Sequence, residues 1–184
     1  MIIGYSLAHN QLFAPVFQES LGYLSKVKEL GFVEKEEDVV IGQKCLRAEY
    51  QKKGIMEQMD KILYNYLSDY FKYYMASIAL VNTNSLNFVT KRGYKKVYAS
   101  DTRAYFITGM EPQALTSDSY ETTAGNGAVI RYRFATSADI SALKNLNHEF
   151  LKENRADLSN GYLAAVFSEE NWEFMISRKW VVLG

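Results

Sequence analysis

The sequence contains one cysteine, two histidines and two prolines among its 184 residues. Its only thiol, Cys45, cannot form a disulfide within the chain, and so few histidines and cysteines argue against a structural zinc site, so no metal is expected. Basic and acidic residues balance at 21 each, which leaves no net charge to attract nucleic acid or an anionic membrane. No apolar run approaches the roughly 20 residues of a membrane-spanning helix, and the first residues lack a basic leader. We therefore expect a cytoplasmic protein that binds neither nucleic acid nor membrane.

The residues that are present are typical of a globular α/β domain. Apolar residues make up 48% of the chain and charged residues 23%. Apolar spacing separates segments of strand character from segments of helix character. It predicts strands over 2–8, 39–46, 75–81, 94–98, 103–108, 130–134 and 179–183, and helices over 15–30, 55–70, 84–92, 139–153 and 168–176.

A change in composition divides the chain into two segments. Residues 111–128 are rich in Ser, Thr, Gly, Asp and Asn, as expected of a linker. Residues 1–110 precede it, and residues 129–184 follow it with a predicted strand, two helices and a strand. Thr136 and Asp139 form a capping-box signal at the start of the first of those helices.

The segment between the predicted strand 39–46 and the predicted helix 55–70 has the features of an anion site. The first backbone N–H groups of a helix lack intrahelical partners, and the helix dipole favours negative charge there. Gly54 would let a ligand approach the backbone, and Arg47 adds positive charge. A solvated turn with a capping glycine is the alternative. The candidate residues are Gln51, Lys52, Lys53, Gly54, Ile55 and Met56.

Two motifs at a defined spacing make residues 39–108 resemble the cofactor-binding half of the GNAT family of N-acetyltransferases. Gln51 and Gly54 match the family's Arg/Gln-x-x-Gly-x-Gly/Ala turn, although Met56 replaces the usual small residue. Asn82 stands eleven residues before the Gly93–Tyr94 pair, as in the family. The Gly-x-Gly-x-x-Gly and P-loop patterns of other nucleotide sites are absent from this region.

The resemblance implies a fold, a cosubstrate and a set of contacts. The fold would be a GNAT-like α/β (α+β) domain, with a mixed, mostly antiparallel sheet flanked by helices. The cosubstrate would be acetyl-CoA, with its pyrophosphate on the amides of residues 51–56 and its arm against Asn82. Backbone groups near Cys45 and Leu46 would grip the pantetheine like an added strand.

The predicted elements come in an unusual order for this family. Residues 129–184 look like the strand, two helices and strand with which GNAT domains normally begin. The order is that of a circular permutation, with 1–110 as the cofactor-binding half. A homodimer that exchanges 129–184 between chains, or a truncated pair of domains, remains open. We favour one complete fold, because either segment alone would leave an open sheet edge.

The implied reaction is direct attack of an amine on the thioester, with the carbonyl polarised by a backbone N–H near Leu46. The tyrosine that commonly protonates the leaving thiolate in the family is Val89 here. Candidate catalytic groups are Glu49, Tyr94 and His9. The alternative roles are a solvated loop carboxylate for Glu49, packing for Tyr94 and a hydrogen-bonded structural histidine for His9. Further tyrosines could also replace the acid, although packing is the simpler role for them: Tyr5, Tyr98 and Tyr105.

The predicted function is transfer of an acetyl group from acetyl-CoA to an amine of a small molecule or peptide. A non-catalytic coenzyme A-binding sensor or scaffold is the alternative, and a structural dimerisation protein is a third class. The insert over 10–38 is expected to shape an aromatic-lined acceptor pocket with Phe13, Phe17 and Tyr23.

Overall fold

The computed structural model of the chain describes residues 1–10, 18–112, 114–115, 120–123, 127–155 and 167–184, and it describes the backbone alone at 18–22 and 151–155. The strands within these ranges are β1 (Gly4–His9), β2 (Val39–Leu46), β3 (Tyr73–Ala79), β4 (Lys95–Ala99), β5 (Arg103–Gly109), β6 (Glu121–Thr123), β7 (Val129–Arg131), β8 (Arg133–Phe134) and β9 (Val181–Leu183). The α-helices are α1 (Gln18–Glu29), α2 (Ile55–Leu67), α3 (Thr83–Lys91), α4 (Ile140–Arg155) and α5 (Glu169–Ser177).

The described strands form one large sheet and one small ribbon. The sheet has the order β4-β5-β3-β2-β1-β9-β8, and the ribbon is β6-β7. All pairings in the sheet are antiparallel except that between β2 and β3. Helix α2 connects this parallel pair, since parallel strands need a crossover. The prediction of a mixed, mostly antiparallel sheet flanked by helices is confirmed.

Residues 129–184 extend the sheet at the β1 side. Strand β9 pairs with β1, and β8 pairs with β9. The Ile3 N–H donates to the carbonyl of Gly184 at 2.9 Å. Ile3 and Gly184, close to the two ends of the sequence, therefore lie next to each other beside the paired strands β1 and β9.

The helices cover both faces of the sheet. Ser6 on β1 donates to Asp60 of α2 at 2.8 Å, which places α2 on the face of the even-numbered β1 residues. Tyr5, on the opposite face, accepts from Asn147 of α4 at 3.0 Å and meets Trp172 of α5 edge-on. We call these the α2 face and the α1 face.

The α1 face takes its name from the helix that packs there farther along the sheet. Leu24 and Val27 of α1 form a buried cluster with Val39 and Ile41 of β2. On the other face, α2 buries the stripe that its sequence predicts, including Ile55, Met59, Ile62 and Leu63.

Several boundaries differ from the predictions. Part of the predicted linker, β6, pairs with β7, because a polar strand with little to bury can still satisfy its peptide groups in a hairpin. The predicted strand 130–134 is split at Tyr132, whose N–H donates to the carbonyl of Tyr120. The predicted strand 75–81 starts earlier, at Tyr73, and ends at Ala79. Residues 11–17 of the predicted first helix lie outside the described residues.

Candidate functional site

A cleft opens in the middle of the sheet where β2 and β3 separate. The two strands pair from Val39 with Tyr73 to Ile41 with Met75, and then diverge. The space between them, with α3 alongside, is about 620 Å³, part of it open to solvent. Its described lining consists of Gly42, Gln43, Lys44, Tyr74, Ala76, Ser77, Ile78, Asn82, Ser85, Phe88 and Val89.

The β2 edge offers peptide groups to this cleft. The Arg47 N–H donates to the carbonyl of Ile3 at 2.9 Å, so the odd-numbered residues at this end of β2 bond towards β1. Alternation along a strand then turns the peptide groups of Gly42, Lys44 and Leu46 the other way, into the cleft. Cys45 is paired with Tyr5, so the cleft-facing neighbour of Leu46 is Lys44 and not Cys45.

The predicted anion site lies at the open end of the cleft, at the N-terminus of α2. Lys52 and Gly54 adopt left-handed φ values of 61° and 77°. Gly54 is the N-cap residue, and no side-chain cap closes the helix start. A Cβ placed at Gly54 would meet nothing within 4 Å. The turn thus leaves the first amides of α2 facing open space, which is the geometry of a backbone anion site.

The side chains around this turn have separate tasks. Gln51 Nε2 donates to the carbonyl of Leu46 at 3.2 Å and ties the turn to the end of β2. Lys53 donates to the carbonyl of Glu49 at 2.7 Å, and Arg47 pairs with Glu149 of α4 at 2.9 Å. Glu49 is exposed at this open end. We call the turn over residues 51–56 the anion turn. As a candidate base, Glu49 therefore lies beside the anion turn and not at the closed end of the cleft, where β2 and β3 pair.

Asn82 and Val89 lie on the α3 side of the cleft. Asn82 is the N-cap of α3, and its Oδ1 accepts from the Ser85 N–H at 3.1 Å. Both residues line the cleft. Val89 is buried and supplies an apolar wall there. This position therefore offers no proton donor.

A buried ionic cluster, which the sequence analysis did not predict, borders the cleft on the α2 face. Lys44 Nζ donates to Asp60 Oδ2 at 2.6 Å and to the Tyr64 hydroxyl at 3.3 Å. The Asp60 side chain is fully buried and also accepts from Ser6. Burial disfavours the ammonium, but Asp60 and the nearby phenols outweigh it and hold the pKa of Lys44 above its ordinary value.

Aromatic rings surround the Lys44 ammonium. It lies 5.0 Å from the ring centroid of Tyr74 and 5.1 Å from that of Phe88. Tyr64 and Tyr94 are also within cation–π range, and their hydroxyls bond to each other. Tyr94, predicted as a catalytic candidate, is thus a member of this cluster.

Tyr74 places its hydroxyl directly over Gly42. A Cβ at residue 42 would overlap that hydroxyl, so the glycine is what lets the phenol lie across β2. Burial raises the pKa of Tyr74, whereas the Lys44 ammonium lowers it. A glycine in the β-branched strand 39–46 was the available sequence signal for a close approach at this position.

The remaining candidates lie on the α1 face. His9 pairs with Ile41 in the sheet and is only 2% exposed, and burial lowers its pKa to about 3. Its imidazole is therefore neutral at pH 7. Tyr23, Tyr98 and Tyr105 pack together, with the Tyr23 and Tyr105 ring centroids 4.0 Å apart. Phe13 and Phe17 of the predicted acceptor pocket lie outside the described residues.

Solved structures match parts of the chain. SsHAT is 14% identical over 39% of this chain and 36% of its own, with a TM-score of 0.38. An N-acetyltransferase from Staphylococcus aureus Mu50 is 14% identical over 59% of this chain and 61% of its own, with a TM-score of 0.41. RimL, a ribosomal L7/L12 alpha-N-protein acetyltransferase, is 9% identical over 61% of this chain and 97% of its own, with a TM-score of 0.37.

No family model and no curated protein matches the sequence. Two of these three structures are acetyltransferases by name, and the chain spans about a third of SsHAT and about three fifths of the Staphylococcus protein. Because the likeness is partial and of low identity, an assignment of activity has to stand on the cleft and the anion turn.

The described residues contain no group of three or more His, Cys, Asp or Glu side chains that could hold a metal ion. Among the helices that the structure describes, none is long and apolar enough to cross a bilayer.

Proposed function

We propose that the protein is an acyl-CoA-dependent N-acetyltransferase that transfers an acetyl group from acetyl-CoA to an amine of a small molecule or peptide. The observation that carries this proposal is the cleft between β2 and β3, with cleft-facing peptide groups of β2 along one wall and an uncapped helix N-terminus at its open end. A long, amide-containing arm linked to a diphosphate needs both features in this order.

The dimensions of the cleft suit such a ligand. From Leu46 to Gly42, four residues of strand rise span about 13 Å. The diphosphate would bind the amides around Gly54, and the arm would run down the β2 edge as an added strand does, with Asn82 and Ser85 opposite. The thioester would then lie at the closed end, beside Gly42.

The chemistry requires little more than the correct placement of the two reactants. The amine attacks the thioester carbonyl, and holding the two together supplies much of the rate. A cleft-facing N–H of β2 polarises the carbonyl. The amine would approach from the α1 face, where Tyr23 and its stacked tyrosines border the sheet.

Ligand-induced stabilisation tests cofactor binding. At 100 times its dissociation constant, acetyl-CoA should stabilise the fold by about 2.7 kcal/mol. For a chain of this size that is a rise of about 5–11 °C in the melting temperature. Replacing Gly54 by Asp should abolish the rise, because a carboxylate would occupy the anion turn.

Gly54→Asn is the matched control for that variant. Asparagine has the shape of aspartate and tolerates left-handed φ, but it carries no charge. It should retain most of the rise. If Asp and Asn lower the rise equally, or if acetyl-CoA gives no rise in the wild type, the diphosphate does not bind at this turn.

Turnover separates the enzyme from a coenzyme A-binding module. An apolar Val89 in the cleft wall is the observation that favours the module. Thiol release from acetyl-CoA with a panel of amines supports the enzyme. Stabilisation by acetyl-CoA without thiol release supports a coenzyme A-binding sensor or scaffold. If acetyl-CoA does not stabilise the fold at all, a structural dimerisation protein is the remaining class.

A further inference from the structure

Ionisable groups in the cleft wall are few. Of the eleven described residues that line the cleft, only Lys44 and Tyr74 have ionisable side chains, and both lie on the α2 face. The other polar groups are the side chains of Gln43, Asn82 and two serines. Among the described residues of the cleft wall, Lys44 and Tyr74 are therefore the side chains that can carry a charge or donate an acidic proton.

Tyr74 lies at the point where an extended ligand would end. Its hydroxyl sits over Gly42, the first residue of β2 beyond the segment that pairs with β3. An arm that enters at the N-terminus of α2 and follows β2 can go no farther than this, because Ile41 and Met75 are already paired across the strands. The buried hydroxyl therefore lies beside the closed end of the cleft, where such an arm would place its reactive group.

We propose that Tyr74 is the catalytic acid of the acyl transfer and that Lys44 is its positioning residue. This inference rests on the proposed function. As the amine nitrogen forms its bond to the carbonyl carbon, the carbon–sulfur bond breaks and its electron pair moves to sulfur. The Tyr74 hydroxyl gives its proton to that sulfur. The nitrogen of the neutral amine becomes positively charged as its new bond forms and releases one proton to solvent, and the phenolate of Tyr74 regains one proton from solvent. The products are the amide and the free thiol, with no net change in protons.

The surrounding charges suit Tyr74 better than its neighbours for this step. Lys44 is held by Asp60 at 2.6 Å, so its proton is already shared with a buried carboxylate. The Tyr94 hydroxyl is bonded to that of Tyr64 and does not line the cleft. With its ammonium 5.0 Å from the Tyr74 ring centroid, Lys44 stabilises the phenolate that proton donation creates.

The groups that face Tyr74 come from three elements. Lys44 lies on β2, Asp60 and Tyr64 lie on α2, and Tyr94 precedes β4. Lys44 favours the phenolate, whereas Asp60 opposes it. The pH profile of the reaction is therefore expected to follow the cluster as a unit, and a change confined to the Tyr74 phenol should shift it.

The first test replaces Tyr74 by Phe, which keeps the ring over Gly42. The single-turnover rate of acetyl transfer should fall about 100-fold or more, the usual range for a lost general acid. The acetyl-CoA-induced rise in melting temperature should remain. Tyr132→Phe, which removes a buried phenol outside the cleft, should leave the rate within about two-fold of the wild type.

The second test keeps the hydroxyl and changes its acidity. Incorporation of 3,5-difluorotyrosine at position 74 should shift the alkaline limb of the rate profile to lower pH, which a purely structural role would not do. If Tyr74→Phe keeps the wild-type rate, or if fluorination leaves the profile in place, Tyr74 is not the acid. If wild-type protein is not stabilised by acetyl-CoA, the proposed function fails instead.

Discussion

The buried pair Lys44–Asp60 makes the sharpest prediction about stability. The Asp60 side chain is fully buried and Lys44 is 19% exposed, with 2.6 Å between Nζ and Oδ2. Replacing Lys44 by Met removes the strongest partner of a carboxylate that has no access to water. Arg92 Nη1 lies 3.9 Å from Asp60 Oδ2 without a hydrogen bond to it, so it would compensate the lost charge only in part. Loss of one partner of a buried ion pair typically costs about 3–5 kcal/mol.

Urea unfolding followed by circular dichroism measures this cost. For a chain of this size, the loss corresponds to a fall of about 6–20 °C in the melting temperature. Lys26→Met is the matched control, because the Lys26–Glu29 pair is exposed at 49% and 65% and should contribute less than about 1 kcal/mol.

A double-mutant cycle isolates the interaction itself. Asp60→Asn keeps an acceptor for the Ser6 hydroxyl and leaves the Lys44 ammonium among its aromatic rings. The double variant Lys44→Met/Asp60→Asn contains neither charge, so it should be more stable than Lys44→Met alone. The coupling energy should exceed about 1 kcal/mol. If Lys44→Met lowers the free energy of unfolding no more than Lys26→Met does, the Asp60 carboxylate is not held by this lysine.

Two further predictions concern how the stability of the fold changes as the pH is lowered. Because burial lowers the pKa of His9 to about 3 from its usual 6.5, the stability that it contributes is present above pH 6.5 and is lost as the pH falls towards 3. From pH 7 to pH 5 the wild type should lose about 2 kcal/mol more than His9→Gln in parallel urea titrations; equal slopes would contradict this. Arg133 donates to Asp139 at 2.6 and 2.7 Å and, as the main cause, lowers the pKa of Asp139 to about 2. The stability that Asp139 contributes is present above about pH 4 and is lost between about pH 4 and 2. In Asp139→Asn, the melting temperature should therefore depend less on pH in this range than it does in the wild type. Arg133→Met should cost about 1 kcal/mol at pH 7, and a pH dependence unchanged by Asp139→Asn would exclude the pair as its cause.

The parts of the site that could be predicted from sequence are those specified by local signals. Gly54 follows a polar turn and precedes the amphipathic helix α2. The start of this helix is specified by residues within a few positions of Gly54. The hairpin of β4 and β5 and the capping box of Thr136 and Asp139 are local in the same sense. Each of these features appears in the structure within one residue of its predicted bounds.

The buried ionic cluster and the position of Tyr74 over Gly42 could not be predicted in this way, because both depend on the register of the strands. Lys44 and Asp60 are 16 residues apart and meet only because β2 turns its even-numbered residues towards α2. Tyr74 reaches Gly42 across two strands whose pairing stops one residue earlier. The same knowledge of register assigns the cleft-facing peptide groups to Lys44 and Leu46, with Cys45 turned towards β1.

The position of residues 129–184 in the sheet explains how an unusual order of segments is compatible with one cleft. Without β9, the even-numbered residues of β1 would expose their peptide groups along an open edge, and Ala8 and Gly4 bond to Trp180 and Gly184 there. Strand pairing depends on which strand edges meet and not on the order in which the chain connects the strands. The circularly permuted order that we propose for residues 1–110 and 129–184 would therefore leave the sheet unchanged. All described cleft residues lie between Gly42 and Val89. The chemistry proposed at Tyr74 therefore uses no described residue of 129–184, whereas support for β1, and through it for Ser6 and Asp60, depends on pairing with β9.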